Sequence, residues 1–275
     1  MWRLLRAEHG LMAGLAVVIG EIVAFKGLPP LKHALLGFLV ASSLNFACFA
    51  FNDVCDLEVD RVNRPDRPLV KGELSVKEAL LLTAFLTFIG LACSTLQGLT
   101  CFLIALLFSA FGLYYDYKLK ETGVPGNIYI AASMAIPFIY GSLAVKGFIE
   151  RAVAFFSLMA FLAGLGREVA KGIVDVPGDA IRNVKTIARV YGVKTAALVS
   201  FLFFLFAISL SPLPYFLGDV SAYYIPLVVL ADLVLFASSL KLLLRPRGET
   251  AESTRKETLL GIWLGLMAFL VGSLT

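Results

Sequence analysis

Nine runs of mostly apolar residues are strung along the chain, at roughly 8–27, 32–52, 76–97, 99–117, 127–146, 151–168, 193–211, 221–243 and 257–274. Crossing a bilayer takes about 20 such residues in a helix, so each run predicts a membrane span. The breaks carry their own signals: Gly27-Leu-Pro-Pro30 parts the first two runs, Pro212 and Pro214 follow the seventh, and Arg245-Pro-Arg-Gly248 follows the eighth. The runs are continuous rather than alternating, which excludes a β-barrel. The expected fold is all-α, a polytopic bundle of nine transmembrane helices forming one domain over 1–275. Its two polar loops, 53–75 and 169–192, stand out as the place for chemistry.

Composition agrees with that pattern. Of 275 residues, 59% are hydrophobic and 16% charged, against about 25% charged in a soluble domain. Four cysteines lie in or beside apolar stretches without zinc-site spacing, and the two histidines stand alone. Arg3 and Arg6 ahead of an apolar run mimic a signal peptide, but Glu21 interrupts the run and no small-residue cleavage pattern follows, so a retained first span is expected. The net charge of +4 is modest; the expected surroundings are a lipid bilayer, with no nucleic-acid partner. With the N-terminus in the cytoplasm, 20 of the 24 Lys and Arg fall on the cytoplasmic side, and only Lys26, Lys32, Lys146 and Arg151 fall opposite. This positive-inside asymmetry predicts a multi-pass cell-membrane protein whose two long loops face the cytoplasm and whose Thr275 lies outside.

The first loop opens with Asn52-Asp53-Val-Cys-Asp56-Leu-Glu58-Val-Asp60 and continues through Arg61, Arg64, Arg67 and Lys71. At 100° per residue, with Asp56 at zero, Asn52 falls at about −40°, Asp53 at about +60° and Asp60 at about +40°, while Glu58 points away. Carboxylates converging at the end of a membrane helix repel unless a cation joins them. Hard divalent ions take oxygen ligands, and Mg²⁺ typically combines one or two carboxylates with phosphate oxygens. The arginines that follow suit a phosphate, which guanidinium binds bidentately.

The second loop, Arg167-Glu168-Val-Ala-Lys171-Gly-Ile-Val-Asp175-Val-Pro177-Gly178-Asp179-Ala-Ile-Arg182-Asn183-Val-Lys185, repeats the four-residue aspartate spacing among basic residues. Pro177-Gly178 predicts a bend there. Asp56 and Asp175 are 119 positions and four spans apart. An even offset places both on one membrane side, as in a parallel repeat with halves near 1–126 and 127–275. Two acidic clusters with basic surroundings describe a site for a diphosphate held through Mg²⁺. A third patch, Tyr114-Tyr115-Asp116-Tyr117-Lys118-Leu-Lys120, ends the fourth span on the same side.

Asn52-Asp53-x-x-Asp56-x-x-x-Asp60, Arg-Pro-x-Arg-Pro-Leu at 64–69, Tyr115 with Lys120, and Asp175-x-x-Gly-Asp179 together resemble the UbiA family of intramembrane prenyltransferases, over nearly the whole chain. The resemblance implies that Asn52, Asp56, Asp60, Asp175 and Asp179 bind a prenyl diphosphate through Mg²⁺, with the four named aspartates catalytic. It implies phosphate contacts from Arg67, Lys185 and either Lys118 or Lys120. Arg167-Glu-Val-x-Lys171 and Lys120-Glu-Thr-Gly-Val-Pro-Gly-Asn127 look most like the archaeal ether-lipid branch, whose members move a geranylgeranyl group from geranylgeranyl diphosphate onto geranylgeranylglyceryl phosphate, a lipophilic acceptor. Members that prenylate an aromatic acid for quinone synthesis share the core motifs. Asp53, Arg64, Tyr115, Arg167, Lys171 and Arg182 complete the expected substrate-binding set, since the basic residues outnumber what one diphosphate needs.

Two other classes fit less well. CDP-alcohol phosphotransferases also cluster aspartates, but with a Gly-x-x-Ala-Arg stretch where this chain has Arg61-Val-Asn63. Transporters tend to place ionisable groups at mid-membrane, whereas only Glu21 and Asp232 lie within apolar runs here.

Overall fold

The computed structural model describes residues 6–181 and 184–275. They form helices throughout: α1 (Ala7–Phe25), α2 (Leu31–Cys55), α3 (Leu57–Asn63), α4 (Val76–Thr95), α5 (Leu99–Tyr117), α6 (Val124–Lys146), α7 (Arg151–Val174), α8 (Val176–Ile181), α9 (Ile187–Tyr191), α10 (Val193–Leu210), α11 (Leu213–Phe216), α12 (Tyr224–Leu244) and α13 (Gly248–Leu274). Among the described residues, nine helical stretches are long and apolar enough to cross a membrane, as the pattern of runs predicts.

The apolar runs underestimate three helices at their polar ends. The second span continues to Cys55, so Asn52 and Asp53 sit inside α2 rather than in a loop. The sixth continues to Val174 and carries Arg167 and Lys171 within α7. The ninth starts at Gly248, where Glu252 pairs with Arg255 and Lys256 one turn on and holds a charged helical lead-in. Backbone hydrogen bonding carries a helix past the point where its apolar stripe ends. By contrast α4 begins where the sequence places it. Ser75 and Glu78 form a reciprocal capping box there.

The chain divides into two compact units. The first takes in α1 as far as Glu21, Leu28–Lys118 and Pro137–Phe148. Its helices meet through small residues: an added Cβ would lie 2.0 Å from the Phe46 ring at Gly10, 2.4 Å from Ser42 at Gly14, and 2.3 Å from the Val17 carbonyl at Gly141. Close backbone approach of this kind is what holds helices together in lipid, where apolar burial supplies little driving force. Leu81, Phe85 and Phe88 form a stripe on α4 that is at least 60% exposed, the sort of face that lipid covers.

The second unit comprises Ile22–Gly27, Leu119–Ile136 and Ile149–Thr275. Its central helix is α7, two-thirds buried, packed by α10 and α13. Ser200 Oγ donates to the Gly166 carbonyl at 2.7 Å, and Phe204 packs fully buried where an added Cβ at Gly166 would meet it. At the end away from Asp175, Arg151 forms a forked pair with the buried Asp219. Both units thereby hold one Asp motif each at the end of a long, tightly packed helix.

Candidate active site

Each motif is built on the same backbone device. α2 ends at Cys55, Asp56 takes φ −92°, ψ 4°, and α3 starts at Leu57. α7 ends at Val174, Asp175 takes φ −84°, ψ −1°, and α8 starts at Val176. Asp56 and Asp175 are thus one-residue joints in the sparsely populated bridge region. Hydrogen bonding runs through both joints: Asp56 N–H donates to the Asn52 carbonyl and Asp60 N–H to the Asp56 carbonyl, at 2.9 and 2.8 Å. In the second motif Asp175 N–H donates to Lys171 and Asp179 N–H to Asp175, at 3.1 and 2.8 Å. The bend expected from Pro177-Gly178 falls at Asp175 instead. Pro177 sits in the first turn of α8, where its missing N–H has no partner to lose.

In the first motif the joining cation is an arginine. Arg67 Nη1 ion-pairs with Asp53 Oδ1 and lies 2.9 Å from Asp60 Oδ2. Both carboxylates are buried, at 2% and 6% exposure. Arg6 Nη2 donates to Asn52 Oδ1 and Asp53 Oδ1, each at 3.1 Å, with its guanidinium 4.6 Å from the Phe49 ring centroid. Asn52 Nδ2 in turn donates to Asp116 Oδ1 at 2.9 Å. Glu58 points away to solvent, paired with Arg61. Arg64 is exposed, so of the two arginines read as phosphate partners only Arg67 is folded into the motif.

The second motif is held by its backbone. Arg189 Nη1 donates to the carbonyls of Asp179 and Val184, at 3.2 and 2.8 Å, and Val184 N–H donates to Asp179. Gly123 brings the turn after Lys120 against this segment: at φ +77° its backbone faces the Lys185 carbonyl, where an added Cβ would stand 2.1 Å away. The structure therefore places the Lys120 turn (Leu119–Glu121) beside the exposed Lys185. Lys171 leans 3.7 Å from Glu168 on α7, and Arg167 donates to the Arg255 carbonyl at 3.5 Å. Tyr115 is half-buried in the last turn of α5, and Lys118, just beyond it, is exposed. Arg182 lies outside the described residues.

The donor chemistry of each motif suits a hard divalent cation. Asn52, Asp56 and Asp60 in the first, and Asp175 and Asp179 in the second, offer oxygen alone, and the buried Asp60 carboxylate is met by Arg67. Among the described residues no three His, Cys, Asp or Glu side chains close into a self-contained metal cage. An ion that keeps most of its shell for water and phosphate oxygens, as Mg²⁺ does, needs no such cage.

Residues 13–272 match the profile of the UbiA prenyltransferase family. The chain belongs to this family. Digeranylgeranylglyceryl phosphate synthase of Archaeoglobus fulgidus is 44% identical over 99% of this chain and 94% of its own length. The enzyme of the same name from Saccharolobus solfataricus is 33% identical over 99% and 96%. A solved structure of a digeranylgeranylglyceryl phosphate synthase superposes with a TM-score of 0.90 at 28% identity, covering 99% of this chain and 97% of that one. A UbiA homologue from Archaeoglobus fulgidus bound to GPP and Mg²⁺ has a TM-score of 0.70 at 20% identity, with 98% of each chain covered, and shows the shared fold.

UbiA membership makes the chain a multi-pass membrane prenyltransferase. Three residues of its site escape a reading of the sequence by motif. Arg6 reads as a topological charge, Asp116 as part of a tyrosine belt, and Arg189 as one more loop cation. The first two act over separations that a motif does not span, Arg6 lying 46 positions from Asn52 and Asn52 lying 64 from Asp116, whereas Arg189 lies only 10 from Asp179.

Proposed function

We propose that this enzyme transfers a geranylgeranyl group from geranylgeranyl diphosphate to geranylgeranylglyceryl phosphate, with Mg²⁺ as cofactor and its Asp motifs on the cytoplasmic side. The observation that carries this reading is the 44% identity to digeranylgeranylglyceryl phosphate synthase along 99% of the chain. The bias of 20 basic residues in 24 toward one side supports the orientation.

Asn52, Asp56 and Asp60 in one motif, and Asp175 and Asp179 in the other, would hold the metal. Bound Mg²⁺ supplies positive charge that makes the diphosphate a better leaving group. Lys120 and Lys185 add charge-assisted hydrogen bonds to the diphosphate oxygens, as do Lys118 and Arg64 from their exposed positions. The allylic C–O bond breaks and its electron pair leaves with the diphosphate. The acceptor's free hydroxyl oxygen then bonds to the allylic carbon as an ether, and its proton passes to the departing diphosphate or to water. Arg67 keeps Asp53 and Asp60 together against their mutual repulsion. Arg167, Lys171 and Arg182 are assigned to the phosphate of the acceptor, for which the diphosphate leaves them available.

The test is a competition between acceptors. Purified enzyme with radiolabelled geranylgeranyl diphosphate is expected to prenylate geranylgeranylglyceryl phosphate, and removal of that phosphate is expected to raise the acceptor's KM while the donor's KM stays put. Turnover of a carboxylated aromatic ring, with none of the glyceryl phosphate, would place the enzyme in the quinone branch instead.

A further inference from the structure

An asparagine side chain has an accepting end and a donating end of nearly the same shape. Which end faces a metal has to be decided by its neighbours. Asn52 is held at both ends: Nδ2 donates to Asp116 Oδ1 at 2.9 Å, and Oδ1 accepts from Arg6 Nη2 at 3.1 Å. Asp116 is buried, at 6% exposure, in the last turn of α5. A carboxylate oxygen accepts from an amide NH₂, so Asp116 sets the amide with Nδ2 toward itself and Oδ1 toward Arg6. Oδ1 faces the same side as Asp53 Oδ1, a carboxylate oxygen that attracts cations. Arg6 lies there, drawn also by Asp53 Oδ1 and by the Phe49 ring.

We propose that Asp116 is a positioning residue for the metal-dependent reaction, orienting the Asn52 amide so that Oδ1 is presented to the cation. The proposal rests on the reading of Asn52 as a metal ligand given above. An amide oxygen has two lone pairs, so the hydrogen bond from Arg6 leaves one for a metal. Partners of this kind fix ligand orientation, and losing one typically costs about 10- to 100-fold in metal affinity.

The test is Mn²⁺ binding to the purified enzyme, followed by electron paramagnetic resonance with geranylgeranyl thiodiphosphate as an unreactive donor. Asp116→Asn removes the preference for one amide orientation and is expected to weaken Mn²⁺ about tenfold or more. In an Asn52→Ala background no amide remains to orient, so the same change is expected to have almost no effect. A field effect of the lost charge would persist in both backgrounds, and equal losses there would overturn the proposal. So would unchanged Mn²⁺ binding in Asp116→Asn. Asp116→Glu keeps an accepting carboxylate at a buried position and is expected to retain affinity within about threefold; if Asp116→Asn does not fold, a loss in the Glu variant as large as that in Asn52→Ala would overturn the proposal. Wild-type-like Mn²⁺ binding in Asn52→Ala alone would remove Asn52 from the ligands. In that case the failure belongs to the proposed metal site, and the inference falls with it.

Discussion

The two aspartate motifs share a backbone and differ in what clamps it. In each, a long helix stops immediately before an aspartate, Asp56 or Asp175, which bends the chain, and the aspartate four residues on bonds back to its carbonyl at 2.8 Å. The first motif is then tied by side-chain charge, with Arg67 and Arg6 on Asp53 and Arg67 against Asp60. In the second, Arg189 grips carbonyl oxygens and Gly123 seats against the Lys185 carbonyl. The same spacing of acids can thus be held by neutralising it or by fastening the chain that carries it. The first solution makes the acids part of a buried ionic cluster, and the second brings an arginine onto the backbone carbonyls around them.

If the two motifs do the same work, disabling either should be equally severe. Asp56→Ala and Asp175→Ala are each expected to lower transfer by more than about 1000-fold in a radiolabel assay, while the protein stays folded and extractable. Loss in one variant with near-full activity in the other would break the symmetry.

The clamps should differ in what they cost. Arg67→Leu leaves Asp53 buried beside Asp60 without the cation between them and is expected to destabilise the protein by about 3–5 kcal/mol, read by thermal unfolding in detergent. Arg189→Met removes hydrogen bonds to backbone carbonyls and should cost less, about 1–3 kcal/mol, with faster hydrogen exchange over 184–191 as the local sign. A larger loss for Arg189→Met than for Arg67→Leu would reverse the assignment of clamps. The smallest effect is expected from Arg64→Gln. That side chain is exposed, so the donor's KM should rise by only a few-fold with stability unchanged, since an exposed charge-assisted contact is worth about 1 kcal/mol or less.

The nine spans and the two acidic motifs are legible in the sequence because both are local: an apolar run has to be about 20 residues long, and a four-residue spacing follows from the helical turn. Span ends are less legible. α2, α7 and α13 extend into polar residues through backbone hydrogen bonds that leave no apolar trace, as Asp56 to Asn52 shows. The one-face geometry of Asn52, Asp53 and Asp60 could be drawn on a wheel, but the cation that joins them could not. Arg67 stands 14 positions from Asp53 and Arg6 stands 47, and nothing in either residue's immediate sequence marks it as their partner.

The central claim is that both motifs serve one Mg²⁺-dependent grip on the diphosphate, and equilibrium binding of radiolabelled geranylgeranyl diphosphate tests it most directly. Wild-type enzyme is expected to bind tightly with Mg²⁺ and at least about tenfold more weakly in EDTA, while Asp56→Asn with Asp60→Asn, and Asp175→Asn with Asp179→Asn, should each bind weakly in either condition. Equal wild-type binding with and without Mg²⁺, or wild-type affinity after disabling either pair, would contradict it.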